Sequence, residues 1–449
     1  MAHDDDEVNR DGLAPEWKRA FDWIEKTVGG RIVRARRQER WRPAWFVDVE
    51  RDGRILPLYF RGDRGEVGSG IYPLEHEVAV FEVLESEGLL VPHVYGLCED
   101  PRGFLMDAIP GRPDLSTNED PEDRASVLAH LMDLYADLHA IDVKRFEDIG
   151  VERPRPDEVP LGDFARWESG YRARKSAPEP MIEFGIRWVR RNLPQRTQLA
   201  CLHADSGNFI FDGARVTALL DFELACIGDP LADLGALRAR DLSEPFGDLR
   251  PGFERYAQKT GCDLDVAALD FYTIRFGLQT PMAVAAIVRG CPKGTNLAQF
   301  LGWYLVYGRI PCELIAHRAG VEIEAPALPD AKPTRRSGAY DFLAGVLGGE
   351  GRGETYDLDV ALRVAQYLRR AERYGPQLEA EDLDEVATLL GRRPSSWQDA
   401  DVALEAFVLE APPELDGQLA RYFVRRCLRE EALLAPAMRE IEGARVQLL

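Results

Sequence analysis

The stretch "CLHADSGNFIFDGARVTALLDFE", residues 201–223, decides how the rest of the chain is read. Two runs in it, "NFIF" and "RVTALLDFE", are rich in β-branched and aromatic residues, and Asp212-Gly213 between them is a tight-turn pair. The pattern predicts a hairpin that carries Asn208 and Asp221 to the same open end. Asp205 lies three residues before Asn208, on the incoming loop. One amide oxygen and one carboxylate, completed by water and phosphate oxygens, make an octahedral set for Mg2+. A separate carboxylate nearby can accept the proton of a hydroxyl that attacks a γ-phosphate. In isolation Asp-x-x-Asn reads as a polar turn, so the surrounding chain has to carry any other reading.

Upstream, "RIVRARR", "PAWFVDVE" and "RILPLYF" within residues 31–60 read as three strands, with "RDG" turning between the last two. Pro57 predicts an edge position or a bulge for the third strand. "PLEHEVAVFEVLESEG" reads as a helix from near Pro73 to Gly88, with Val78, Phe81 and Leu84 on one face. "HVYGLCED" and "GFLMDAI" are two further strands around "DPRG". Past "IPGRPD" at 109–114 the chain turns helical, first in "DPEDRASVLAHLMDLYADLHAID". Further helices are expected around 162–173, 178–193, 249–260, 265–290 and 296–319. "IEAPALPDAKPTRRSG", from residue 323, has linker composition. Beyond it "LDVALRVAQYLRRAERYG", "LDEVATLLG" and "LDGQLARYFVRRCLREEALL" again have helical spacing.

This order, a strand-rich lobe, a helical lobe and then "HAD..N", "DFE" and "GDPLADLG", resembles the aminoglycoside phosphotransferase-like kinases. The resemblance covers roughly residues 28–320 and is most specific in 201–235. His203-Ala204-Asp205 with Asn208, Leu220-Asp221-Phe222-Glu223, Gly228-Asp229-Pro230 and Asp233-Leu234 stand where that family has a His-Gly-Asp loop with its Asn, Ile-Asp-Trp-Glu, Gly-Asp-Pro and Asp-Leu. It implies an α+β, bilobal protein-kinase-like fold with a β-rich N-lobe, a helical C-lobe and an extra C-terminal helical domain. The expected boundaries are a tail and short helix at 1–27, a nucleotide-binding N-lobe at 28–108, a C-lobe at 109–322, a linker at 323–339 and a helical domain at 340–449.

The resemblance further implies Asp205 as catalytic base, Asn208 and Asp221 as Mg2+ ligands, and ATP or GTP as phosphoryl donor. Arg61 corresponds to the family's phosphate-orienting strand lysine and Glu77 to its helix partner. Met106, Asp107 and Ala108 would form a hinge whose backbone bonds the base. The blander alternatives are a surface salt bridge for Arg61–Glu77 and a plain lobe connection for the hinge. One departure matters. The family's Asn follows the base by five residues, whereas here the interval is three. A strict count back from Asn208 points to His203, while the retained His-x-Asp context points to Asp205, which is the assignment made here.

No glycine-rich phosphate loop is visible in "RQERWRPAWFVDVE"; Arg40 and Arg42 read as a solvated strand face or as phosphate holders. His139 reads as a satisfied core histidine, and Asp229 and Asp233 as helix caps that the resemblance makes braces of the catalytic loop. Trp41 and Trp45 read as packing. "GSG" at 68–70 lacks the Lys-Ser/Thr of a P-loop, and "ADSGN" is no nucleophile elbow for Ser206.

Bulk properties narrow the function classes. A chain of 449 residues exceeds one comfortable core. A formal charge of -21 disfavours nucleic acid and anionic membranes as partners. Seven scattered cysteines without a CxxC pair fit reduced thiols, and the acidic start is unlike a signal peptide. The expectation is a cytoplasmic phosphotransferase moving the γ-phosphate of ATP or GTP to a small-molecule alcohol. Aromatic, acid-poor "RFGLQTPM" and "LGWYLVYGR" tilt the acceptor from a polycationic aminoglycoside towards a less polar alcohol or a hydroxyacyl-CoA thioester. Homo-dimerisation, cleft covering and a passive appendage stay open for residues 340–449. A nucleotide-binding pseudokinase scaffold is the second reading: the missing glycine loop, Arg61 and the short loop favour it. Joint retention of Asp205, Asn208 and Asp221 opposes it.

Overall fold

A computed structural model of the chain describes residues 12–38, 42–63, 72–292, 295–348 and 356–449; Arg40, Trp41 and residues 68–70 lie outside these. In chain order the elements begin with α1 (Pro15–Val28), β1 (Arg31–Arg37), β2 (Ala44–Arg51), β3 (Arg54–Gly62), α2 (Leu74–Ser86), β4 (Val94–Glu99) and β5 (Arg102–Asp107). There follow α3 (Pro121–Ala140), α4 (Lys144–Glu147), α5 (Phe164–Arg174), α6 (Pro180–Arg191), β6 (Ala200–Leu202), β7 (Phe209–Asp212), β8 (Arg215–Leu219) and β9 (Cys226–Gly228). Helices complete the chain: α7 (Leu231–Arg240), α8 (Arg250–Thr260), α9 (Val266–Gly290), α10 (Leu297–Arg318), α11 (Ser337–Leu347), α12 (Tyr356–Leu390), α13 (Trp397–Glu410) and α14 (Asp416–Met438). The chain divides into two compact units: residues 1–162, 196–233 and 244–264 form one, and 163–195, 234–243 and 265–449 the other.

In the first unit β1 to β5 make an antiparallel sheet of order β1-β2-β3-β5-β4. Its two faces follow from the period of two along a strand. Trp45, Val47, Val49, Leu58 and Phe60 face one way and bury against Trp17, Phe21, Ile24 and Val28 of α1. The Trp45 ring lies 5.2 Å from Phe21 and 5.7 Å from Trp17, so Trp45 is packing, as expected. Helix α1 is therefore part of the lobe's core, not a segment preceding it. An apolar stripe at helical spacing needs a face to cover, and the sheet supplies it.

The other face of the sheet carries Phe46, Tyr59 and Arg61. Strand β3 is interior, unlike the edge position that Pro57 suggested. Pairing of β3 with β5 begins only at Leu58, so Pro57 has a ladder neighbour on the β2 side alone. Its carbonyl still accepts the Ala108 N–H at 3.0 Å. Helix α2 buries Val78, Phe81 and Leu84 as its spacing required.

The opening stretch folds as predicted in its centre: β7 and β8 pair antiparallel, Phe209 opposite Leu219. A short β6–β9 pair beside it was not legible, because three-residue strands carry no measurable period. Helix α3 starts at Asp120, whose carboxylate accepts the N–H groups of Glu122 and Asp123.

The second unit is helical. In it α14 packs along α10, whose Gly302 leaves room for Leu434 and Ile441. Arg309 of α10 is fully buried and holds Glu431 of α14 at 2.5 Å. Residues 340–449 thus share a core with a helix expected in the C-lobe, and the chain does not divide at 323–339. Two expected helices, "LDVALRVAQYLRRAERYG" and "LDEVATLLG", are one, α12, running through Pro376. Its buried Leu378, Leu383 and Val386 lie beyond the proline, and its packing against α14 and α13 offsets the interruption. Helix α13, capped by Ser396, was not anticipated. Among the described residues no helix is long and apolar enough to cross a membrane. All seven cysteines are free thiols, five of them buried.

The α1–sheet core yields a direct check. Phe21 is fully buried at its centre, so Phe21→Ala should lower the unfolding free energy by about 3–5 kcal/mol in urea titration. A change below about 0.5 kcal/mol, the scale of a surface substitution, would return α1 to an appendage.

Candidate functional site

The loop after β6 is held by a buried carboxylate. Asp233, fully buried in the first turn of α7, accepts the N–H of His203 and of Ala204, each at 2.8 Å, and the Ser206 hydroxyl at 2.9 Å. His139 of α3 donates its Nε2 proton to the same carboxylate at 2.9 Å, while its Nδ1 meets the Tyr256 hydroxyl at 2.8 Å. His139 is the satisfied core histidine expected, and Asp233 braces the loop as the resemblance implied. Asp229 takes the capping part: it accepts the Leu231 N–H at 2.9 Å and pairs with Arg196. Burial alone would raise the Asp233 pKa, but the hydrogen bond from His139 and the backbone donors hold it below the usual carboxylate value.

This loop presents Asp205, half-buried, and Asn208. The Asn208 side-chain amide donates to the Asp205 carbonyl at 2.9 Å, so its nitrogen is committed to the loop and its oxygen is the end that could ligate a cation. The Leu220 N–H donates to the Asn208 carbonyl at 2.9 Å, continuing the hairpin past its last pair. Asp221 is the next residue, so the hairpin brings Asn208 and Asp221 to one open end. Asp221 has φ 62° and ψ 56°, a left-handed conformation rare outside glycine and common where a side chain must be aimed at a site.

His203, the rival base, is fully buried. Its Nε2 lies 2.6 Å from the Leu220 carbonyl, which can only accept, and its Nδ1 lies 3.1 Å from the Tyr135 hydroxyl. Both ring nitrogens are engaged and neither reaches solvent, so His203 is a structural residue.

Arg61 sits 4% exposed on β3 and is shared by three carboxylates. It donates to Glu77 of α2 and to Glu223, each at 3.1 Å, and to Asp221. The Arg61–Glu77 pair is thus buried, not the surface salt bridge of the alternative reading. Burial would lower the Arg61 pKa, but Asp221 and Glu77 hold it above the ordinary value. Arg42, 2% exposed, donates to Glu223 at 2.5 Å. It is therefore no solvated strand residue. Carboxylate oxygens of Glu77, Asp221 and Glu223 lie within 4.8 Å of one another, a hard-oxygen group suited to Mg2+. Against these three acids stand two guanidiniums, so the cluster has one formal negative charge in excess. A small open cleft is lined by Arg42, Glu77, Glu223, Asp63 and Tyr72 among others.

The hinge residues end β5. The Asp107 N–H donates to the His93 carbonyl and the Ala108 N–H to the Pro57 carbonyl, each at 3.0 Å. The Asp107 carboxylate accepts the Tyr95 hydroxyl at 3.0 Å. Two amides of the expected hinge are thereby used within the lobe. Met106 pairs with Tyr59, whose ring packs at a tilt against Phe46, centroids 4.9 Å apart, on the same sheet face as Arg61.

Sequence reasoning missed Glu223, Tyr135 and Tyr59. Glu223 was within reach, two residues past Asp221 in "DFE". Tyr135 was not, because nothing in an apolar helix marks which tyrosine meets a loop 70 residues on.

A solved structure of a Ralstonia eutropha JMP134 protein, provisionally classed as an aminoglycoside phosphotransferase, superposes with a TM-score of 0.50 at 20% identity, covering 66% of this chain and 95% of that one. The fold is the α+β protein-kinase-like one, with a β-rich N-lobe, a helical C-lobe and additional C-terminal helices. Residues 72–272 match the model of the phosphotransferase enzyme family. Through that region, which is less than half of its length, the chain is similar to the phosphotransferase enzyme family. Acyl-CoA dehydrogenase family member 10 of Mus musculus is 27% identical over 256 residues, which are 51% of this chain and 23% of that protein. Homoserine kinase of Pseudomonas aeruginosa LESB58 is 26% identical over 250 residues, 51% of this chain and 76% of that enzyme. The first curated relatives are thus matched over less than a quarter of their own length.

The Asp233 bracing generates a pH-dependent prediction. A carboxylate whose folded pKa is depressed stabilises fully above its unfolded value, here about 3.8, and loses that contribution as pH falls through the folded value. Asp233→Ala should cost about 3–5 kcal/mol near neutrality, as for breaking a buried charged network. The gap to wild type, measured by denaturant titration, should stay constant down to about pH 3.8 and narrow below it.

Proposed function

We propose that this chain transfers the γ-phosphoryl group of ATP or GTP to a hydroxyl of a small molecule, with Asp205 as base. The observation that carries the reading is the meeting of a braced Asp205 loop, the Asn208–Asp221 end of one hairpin and a buried Arg61–Glu77 pair. In this reading Asp205 takes the proton of the acceptor hydroxyl as it attacks phosphorus. Arg61, anchored by Glu77 and Glu223, presents fixed positive charge to the α- and β-phosphates, and Arg42 does the same work that a glycine-rich loop would do with backbone N–H groups. Asn208 and Asp221 would hold Mg2+, with Glu223 beside them. Bound there, the ion supplies charge that offsets the phosphate oxygens. Met106 to Ala108 and the Tyr59 ring would line the nucleobase.

The acceptor stays at the level of an alcohol. The apolar residues of "RFGLQTPM" and "LGWYLVYGR" that suggested a less polar substrate, among them Phe276, Leu278, Met282, Leu305 and Val306, are buried core. A hydroxyacyl-CoA thioester therefore enters as one member of the screen. One observation favours the second reading, a nucleotide-binding pseudokinase: Arg61 bonds Asp221 directly, occupying a carboxylate that the metal needs.

The deciding experiment follows ATP and GTP depletion, with Mg2+, against alcohols, sugars, aminoglycosides and hydroxyacyl-CoA compounds. Turnover with one class is the expected result; nucleotide binding without turnover across the panel selects the pseudokinase. With an acceptor in hand, Asp205→Asn should leave nucleotide affinity intact and lower kcat by roughly 10²–10⁴-fold, the scale of general-base loss. Asp221→Asn should weaken Mg2+-dependent nucleotide binding as well. A wild-type rate in Asp205→Asn would remove Asp205 from the reaction.

A further inference from the structure

Asp233 accounts for only one side of the catalytic loop, the N–H groups of His203 and Ala204 and the hydroxyl of Ser206. The other side ends on a different element. The Gly207 N–H, immediately before Asn208, donates to the hydroxyl of Tyr135 on α3 at 3.0 Å. Tyr135 is fully buried, and its hydroxyl lies 3.1 Å from His203 Nδ1. The Leu220 carbonyl, 2.6 Å from Nε2, places a proton there, so in the neutral imidazole Nδ1 accepts and the tyrosine donates to it. The bonds then run in one direction: Gly207 N–H to Tyr135 oxygen, Tyr135 O–H to His203 Nδ1, His203 Nε2–H to the Leu220 carbonyl. Every polar atom in the relay has a partner of the right sense. Its two ends lie next to Asn208 on one side and to Asp221 on the other.

The helix explains why both sides are fixed together. Tyr135 and His139 are four residues apart on α3, so they share a face, and their rings are near-parallel at 6.1 Å. His139 reaches the loop through Asp233, and Tyr135 reaches it directly. With only Ser206 and Gly207 between Asp205 and Asn208, and Gly207 at φ 105°, the loop has little slack. Its geometry depends on what is bonded to the Gly207 amide.

We propose that Tyr135 is a positioning residue that sets the distance between the Asp205–Asn208 loop and the Asp221 strand end by this relay. It touches no substrate in this role; it acts through Gly207 and His203. The proposal rests on the reading of Asp205 and Asp221 given above, and its test separates the two.

The test uses the full chain and Tyr135→Phe, which keeps the ring and removes the hydroxyl. Amide hydrogen exchange should show Gly207 protected in wild type, and the variant should lose protection at Gly207 and in residues 219–221 together. The imidazole 15N shifts of wild-type His203 should report a neutral Nε2–H tautomer with Nδ1 hydrogen-bonded, and the variant should lose the Nδ1 signature. With an acceptor from the screen, kcat should fall on the order of 10- to 100-fold, the scale of a displaced catalytic group, while KM for MgATP stays within about twofold. Unchanged kcat, or loss of protection at Gly207 alone, overturns the proposal. If the variant does not fold, wild type decides: a Gly207 amide exchanging as fast as an exposed loop overturns it, and strong protection with the Nε2–H tautomer supports it. If wild type turns over no acceptor, the kinase reading fails on its own while exchange and tautomer still judge the relay.

Discussion

A single buried carboxylate holds the loop after β6 in place. Asp233 gathers four donors from two parts of the chain: two backbone N–H groups and a serine hydroxyl of the loop, and an imidazole of α3. A buried ionised group is costly unless it is fully hydrogen-bonded, and here its partners are the loop it must order. The loop has no regular structure, so its shape is set by hydrogen bonds to side chains on neighbouring helices. Helix α3 contributes twice, through His139 and Tyr135, and α7 supplies Asp233 itself.

The second constraint is electrostatic. Arg61 and Arg42 stand among Glu77, Asp221 and Glu223, drawn from β3, the turn before β2, α2 and the segment after β8. Each acid alone would be strained by burial; together with the guanidiniums they form a nearly neutral cluster that ties sheet, helix and hairpin end to one another. Its carboxylate oxygens lie within 4.8 Å of one another, and it retains one excess negative charge. The same arrangement stabilises the unliganded unit. Arg61 is suited to this because its planar fork can hold several acids at once, which a lysine ammonium does less well.

The second unit is organised by packing along α10 and α14, and its buried charges are paired across those helices. Arg309 with Glu313 and Glu431, and Arg429 with Asp382 and Glu385, pin one helix to another. The proline- and alanine-rich stretch 323–339 has the composition of a linker, yet the helices beyond it bury their apolar faces on helices before it. Composition reports local stiffness. Domain boundaries depend on which faces are covered by what.

The amino-acid sequence by itself determined the strands and helices with a clear period, the β7–β8 hairpin with its Asp212-Gly213 turn, and the grouping of Asp205, Asn208 and Asp221. Those signals are local: side-chain alternation, turn chemistry and spacing within about 20 residues. It also brought Arg61 and Glu77 forward as a pair, though only through resemblance. Tertiary structure alone decided that the pair is buried, that Arg42 joins it, and that α1 belongs to the sheet's core. It enclosed His203 and engaged both its nitrogens, which supports Asp205 as the proposed base. It also chose Tyr135 from among the chain's tyrosines, by placing a helix face against a loop some 70 residues away. These outcomes depend on burial and on partners distant in the chain, and no local pattern carries that information.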